Sequence, residues 1–316
     1  MGRIHPFSVQ QSSAPHRINL AFPPLYPFEP ANTLVTISRL YLSRGTTYFS
    51  ASEAIRSCPK LEDLNVSFIP RSGTAMVVDN RFPRKSVVKN LSLRMLWITV
   101  SEDCSPFLDS LMFPALKEFE FEVDFVDNDD DDEGPVLTIP LAQSHKAILD
   151  LLTRSNCKLD RVGLRHCGFS PSAILRCFEH NSLETIEALR IVNVHDQFIV
   201  NDEVLVRLTI LSPSHILLPK LTRLELDMCV AASSGKLGRM VFSRRFLAGK
   251  HGVERLQYFS VTGQEIRRAD KGLIYRAVLD GLEAEIPDTK SDEVDSRRAL
   301  ASLFAYVQLT YTHMSC

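Results

Sequence analysis

Cys157, Cys167 and Cys177, with His166 and His180 among them, are the densest grouping of potential metal ligands and nucleophiles in the chain. Structural zinc sites draw on short pairs, with about two to four residues between cysteines and about three to five between histidines. Cysteines ten positions apart fall on separate elements instead, so no metal site is expected. Nucleophilic catalysis needs a base in reach of an activated serine or cysteine, often on a Gly-x-Ser-x-Gly elbow, and the chain has no such elbow. Ser233-Ser-Gly-Lys-Leu-Gly238 contains a glycine-lysine pair. It lacks the first glycine and the Ser/Thr after lysine that a phosphate loop uses, and it reads as a loop. Asp127, Asp129 and Asp131 imitate the start of a calcium loop, but Asp132 stands where the sharp turn requires glycine. The expectation is no catalytic residue, no cofactor and no metal.

The positions that organise the chain are apolar. Leu-x-x-Leu-x-Leu-x-x-Cys occurs at Leu159/Val162/Leu164/Cys167 and at Leu221/Leu224/Leu226/Cys229. Looser copies stand at Ile37/Leu40/Leu42, Leu61/Leu64/Val66, Val88/Leu91/Leu93, Leu116/Phe119/Phe121, Ile186/Leu189/Ile191 and Leu256/Phe259/Val261. This is the leucine-rich-repeat pattern, one strand per copy. The fold class expected is an α/β leucine-rich-repeat solenoid, a horseshoe with a parallel concave sheet and helices on the convex side. In a strand, residues two apart share a face, so Leu224 and Leu226 point inward while Arg223, Glu225 and Asp227 point outward. The same rule sends Asp63, Asn65, Glu118, Glu120 and Arg190 outward. These eight residues are the candidate partner-binding positions. Cys167 and Cys229 come where the strand turns away and are expected to be buried, serving the loop backbone.

Before each strand lies a stretch with helical spacing: Ser52 to Cys58 ahead of Pro59, Ser105 to Met112 ahead of Pro114, His145 to Ser155, Ser170 to Phe178 with Pro171 in its first turn, and Asn201 to Leu211. A proline beyond a helix blocks its continuation and forces the turn into the strand. Asp127-Asn-Asp-Asp-Asp-Asp-Glu133 cannot pack and is expected to be a mobile acidic loop over 127–134. The domain expectation is a proline-rich N-terminal segment at 1–30, one repeat domain at 31–290 and a C-terminal helical tail at 291–316. Trp97, between Leu96 and Ile98, is expected in the core. The basic pairs Arg244-Arg245 and Arg267-Arg268 are expected on solvated helix faces.

With a net charge of −2, the chain has no overall basic field to draw it to nucleic acid or anionic lipid, and neither is an expected partner. Residues 1–11 contain no apolar leader core, and nowhere do roughly 18 apolar residues run together, so neither export nor a membrane span is expected. Seven scattered cysteines, an odd number, favour a reducing compartment, and the expected location is intracellular, cytoplasmic or nuclear.

Cys58-Pro-Lys-Leu-Glu-Asp-Leu64, Leu217-Leu-Pro-Lys-Leu-Thr-Arg-Leu-Glu-Leu226, Met240-Val-Phe-Ser-Arg-Arg245 and Gly281-Leu-Glu-Ala-Glu-Ile286 resemble the repeat region of F-box proteins of mushroom-forming (basidiomycete) fungi, over about residues 30 to 290. The resemblance implies a noncatalytic protein-interaction module, the substrate-recognition part of an F-box-type ubiquitin-ligase receptor, that holds a protein partner on its concave face. In that family an F-box docks on a Skp-type adaptor. Residues 1–30 lack the leucine-proline opening and helical trio of an F-box, so adaptor binding is expected only if an F-box is supplied elsewhere. The alternative is a structural scaffold or degenerate family member with no ligase role.

Overall fold

The computed structural model describes residues 17–20, 36–43, 45–69, 87–124, 144–193, 198–212, 216–249, 252–263 and 265–287. The acidic loop, the tail and most of the proline-rich segment lie outside them. The chain divides into two compact units, Met1–Ile186 and Glu187–Cys316.

In the first unit, strands β1 (Arg17–Leu20), β2 (Arg39–Leu42), β3 (Asp63–Phe68), β5 (Met95–Val100), β7 (Glu118–Val123) and β8 (Arg161–Arg165) form a parallel sheet in that order. Two short strands, β4 (Val88–Lys89) and β6 (Leu111–Met112), pair separately. The helices are α1 (Tyr48–Ser57), α2 (Ser105–Asp109), α3 (Ser144–Ser155) and α4 (Pro171–Phe178). Parallel neighbours need a crossover connection, and the intervening stretches supply it. Each helix start has a local cause. At α1, Thr47 and Ser50 form a reciprocal capping box. At α4, the Ser170 hydroxyl accepts from the Ala173 amide and a proline fills the first turn.

Strand burial alternates strictly in β3, β5 and β7. The register aligns Leu40, Leu64, Leu96, Phe119 and Val162 in one apolar row and Leu42, Val66, Ile98, Phe121 and Leu164 in the next, all buried. Phe119, Val162 and Leu164 line a small apolar cavity with Ile148, Leu149 and Leu152 of α3 and Cys177 and Phe178 of α4, so the inward face of these strands meets the helices. Fully burying one such side chain contributes about 1.5–3 kcal/mol.

The second unit has a parallel sheet of β9 (Ala188–Val192), β10 (Arg223–Asp227), β11 (Tyr258–Thr262) and β12 (Glu283–Glu285), with α5 (Asp202–Leu208), α6 (Lys236–Phe246) and α7 (Arg268–Leu279). Leu189, Leu224 and Phe259 form its buried row. Asn201 caps α5 by accepting from the Val204 amide.

The third copy, or phrase, in chain order, Val88/Leu91/Leu93, is corrected. Leu91 is 63% exposed, and the buried triplet is Leu93/Leu96/Ile98. The shift arises because Val88 and Lys89 are used by the small accessory sheet, so the principal strand begins only at Met95. The helix expected at Ser105–Met112 stops at Asp109, where Leu111 and Met112 form the other half of that sheet. Strand β1 falls inside the expected proline-rich segment, and β12 was not anticipated as a strand.

Candidate functional site

Each sheet carries a polar face on the positions that alternate with its apolar rows. In the first unit the register gives three outward rows: Arg39, Asp63, Met95, Glu118 and Arg161; Tyr41, Asn65, Trp97, Glu120 and Gly163; and Ser67, Thr99, Glu122 and Arg165. The candidates Asp63, Asn65, Glu118 and Glu120 are all there and half-buried. In the second unit, Arg223 aligns with Tyr258 and Glu283, Arg190 with Glu225, Ser260 and Glu285, and Asp227 with Thr262, which places the other four candidates on one face.

Trp97 is the principal correction. It is on the polar face, not in the core, because it alternates with buried Leu96 and Ile98. Its indole Nε1 donates to Glu122 Oε2 at 3.2 Å, and the Arg165 guanidinium lies 5.3 Å from the ring centroid. Arg165 Nε is 3.7 Å from Glu120 Oε2, and Arg161 Nη1 is 3.9 Å from Glu118 Oε2. Gly163 makes room for this arrangement. A Cβ there would fall 1.8 Å from Glu120 Oε2, so the carboxylate lies directly over bare backbone. Trp97, Glu122 and Arg165 were missed as site residues. With the third phrase read as Leu93/Leu96/Ile98, the period-two rule puts Trp97 outward, and Glu122 and Arg165 continue the outward series begun by Glu118/Glu120 and Arg161.

The second face has a similar chemistry. Arg223 Nε donates to Glu225 Oε1 at 2.6 Å while its guanidinium stacks 3.8 Å above the Tyr258 ring. The other oxygen of Glu225 is 3.3 Å from Arg190 Nε. The bond to Glu225 raises the Arg223 pKa further. Burial, then the bond to Glu285, raises that of the Tyr258 hydroxyl. Partly exposed ion pairs contribute only ~0.2–1 kcal/mol each, so these ladders add little to the fold while presenting a pattern of charge and aromatic surface.

The groups with nucleophilic potential are placed otherwise. Cys58, Cys104, Cys157, Cys167, Cys177 and Cys229 are free and buried. Burial pushes the Cys58 thiol up to about 11 and Cys177 to about 12, the opposite of an activated thiolate. Cys167 Sγ donates to Phe121 O at 3.5 Å and Cys229 Sγ to Ile191 O at 3.6 Å, so both are buried as expected but reach the backbone of the neighbouring strand rather than of the loop. The left-handed residues His166 and Met228 make the turn just before them. Among the described residues no group of three or more His, Cys, Asp or Glu is arranged to hold a metal ion.

Two further expectations are overturned in the second unit. The glycine-lysine stretch opens α6, and its end is filled from within: buried Asp270 accepts from the Gly235 amide at 2.9 Å and the Gly238 amide at 2.7 Å. An acidic side chain there satisfies orphan amides and complements the helix dipole. Arg244 is wholly buried rather than solvated, and donates to Leu208 O, Leu217 O and Leu218 O. Arg245 joins Asp280 and Leu256 O. Arg267 and Arg268 are exposed. Among the described residues no helix is long and apolar enough to cross a membrane.

No family model matches the chain, and no curated protein matches it. It is similar to a solved structure of a Bacteroides fragilis protein at 10% identity, with a TM-score of 0.37, over 83% of this chain and 68% of that one.

Proposed function

We propose that this chain is a noncatalytic protein-interaction module of leucine-rich-repeat type, and that the outward faces of its strands hold a protein partner. The observation that supports this most is the in-register alternation: buried apolar rows underlie rows of half-exposed charged and aromatic side chains in both sheets. Interfaces are enriched in tyrosine, tryptophan and arginine, and Trp97, Arg165, Arg223 and Tyr258 lie on these faces. The resemblance to fungal F-box repeat regions makes a ubiquitin-ligase substrate receptor the specific form of the proposal, with a Skp-type adaptor engaged only through an F-box supplied elsewhere. Six buried free thiols fit a reducing intracellular compartment, cytoplasmic or nuclear.

The test is quantitative affinity capture from fungal extract with wild type, an Asn65→Arg/Thr99→Arg double variant on the first face, and Lys146→Glu on the exposed side of α3. A partner lost by the face variant and kept by the helix variant is expected, at unchanged melting temperature. Equal retention by all three proteins sinks the proposal for this face.

A further inference from the structure

The first face has an unequal distribution of charge. The outward positions of β3, β5 and β7 carry Asp63, Glu118, Glu120 and Glu122 and no basic residue, with Trp97 set among them. The cations, Arg161 and Arg165 on β8 and Arg39 on β2, stand at the margins. One of them shows what the centre accepts: the Arg165 guanidinium reaches inward to the Trp97 ring at 5.3 Å and to Glu120 at 3.7 Å. That last distance is an ion pair beyond hydrogen-bond range. A planar, weakly hydrated guanidinium lies flat on an indole while its fork pairs with carboxylates, which favours it over a strongly hydrated ammonium, and an anion is repelled by both.

We infer that the face of β3, β5 and β7 is a docking surface for a basic, arginine-bearing segment of a protein partner, whose guanidinium takes the position on Trp97 and Glu120 now held by Arg165, beside Glu122. The inference rests on the reading of the sheet face as the binding surface and adds the chemistry of the partner. Complementarity of charge brings the basic segment in, and the indole favours arginine within it. Arg165 is then a displaceable internal competitor.

Trp97 is the single tryptophan of the chain, so its emission reports this face directly. The full chain is titrated at physiological salt with two capped heptapeptides, one alternating alanine and arginine and one alternating alanine and glutamate. Saturable change with the arginine peptide alone is expected. Glu118→Gln/Glu122→Gln should weaken it about ten-fold, two partly exposed charge contacts being lost, while the charge-matched Glu179→Gln/Glu184→Gln, exposed at and beyond the end of α4 in the same unit, should leave it unchanged. Arg165→Ala, checked for native circular dichroism, should strengthen it. Weaker binding by Arg165→Ala, equal weakening by both glutamine pairs, or a response to the glutamate peptide overturns the inference. If neither peptide alters the emission, the inference is overturned as well. Capture of a protein partner that still depends on Asn65 and Thr99 then leaves the interaction reading standing, and face-independent capture removes both.

Discussion

Replacing Arg244 by methionine should destabilise the second unit by about 3–5 kcal/mol, the largest single-residue effect expected outside the leucine rows. Its Nε, Nη1 and Nη2 donate to Leu208 O at 2.8 Å, Leu218 O at 3.0 Å and Leu217 O at 2.5 Å, tying the end of α5 to the turn that leads into β10. Leu218 has a φ of 50°, a left-handed conformation costly for leucine, and the guanidinium holds the carbonyls on either side of that strained backbone. Burial lowers the Arg244 pKa to about 10, which leaves it charged at neutral pH, so the three bonds are charge-assisted. Bonds of this kind contribute roughly 1.5–3 kcal/mol each. Burying the cation offsets part of that sum. Methionine fills much of the volume but leaves two buried carbonyls and one partly buried carbonyl without this donor. Equilibrium urea unfolding followed by far-ultraviolet circular dichroism measures the change. Arg244→Lys should fall between the two, since its compact ammonium lacks the planar fork that fits three divergent carbonyls. A loss below about 1 kcal/mol for the methionine variant would refute the assignment of Arg244 as a structural clamp.

The corrected register is checked by a pair of substitutions: Leu96→Ala should cost about 2–5 kcal/mol, and exposed Leu91→Ala less than about 0.5 kcal/mol, in the same unfolding assay. The reverse order would restore the Val88/Leu91/Leu93 phrase. Asp270→Ala should cost about 1–2 kcal/mol by uncapping α6, and an unchanged urea midpoint would show that the two amide bonds contribute nothing. Stability should also fall between pH 9 and 11. Burial raises the Cys58 thiol to about 11 and pushes the Tyr48 hydroxyl, hydrogen-bonded to Asp103 O, well above its ordinary value. The folded state therefore keeps protons that the unfolded state releases, and the contribution present below pH 9 is lost as pH rises. A urea midpoint constant from pH 8 to 10.5 argues against it.

The repeat grammar was legible because it depends on local periodicity. Leu-x-x-Leu-x-Leu sets which strand residues face the helices, and seven of the eight phrases coincide with principal strands. The eighth misled because Val88 and Leu93 are both buried, and a search by spacing alone cannot tell an accessory strand from the principal one. Trp97 was assigned to the core from the average behaviour of its residue type. Alternation with Leu96 and Ile98 overrides that average. Arg244 and Asp270 were illegible for another reason. Their partners lie 26 to 36 residues away in sequence, and backbone carbonyls and amides leave no mark in a side-chain pattern. The outward direction of all eight candidate positions was legible because it follows from the same period that buries their neighbours.

The central claim is that the strand faces, rather than the helices, contact the partner. Hydroxyl-radical footprinting of the chain with and without its captured partner, resolved by residue in the mass spectrometer, tests it most directly. Tyr41, Met95, Trp97 and Tyr258 are oxidisable reporters on the outward strand positions. Tyr275 and Leu279 report from the exposed side of α7. Partner-dependent protection is expected at strand reporters of at least one unit, Trp97 first, with the α7 reporters unchanged. Protection confined to Tyr275 and Leu279, with every strand reporter oxidised as in the free chain, would contradict it.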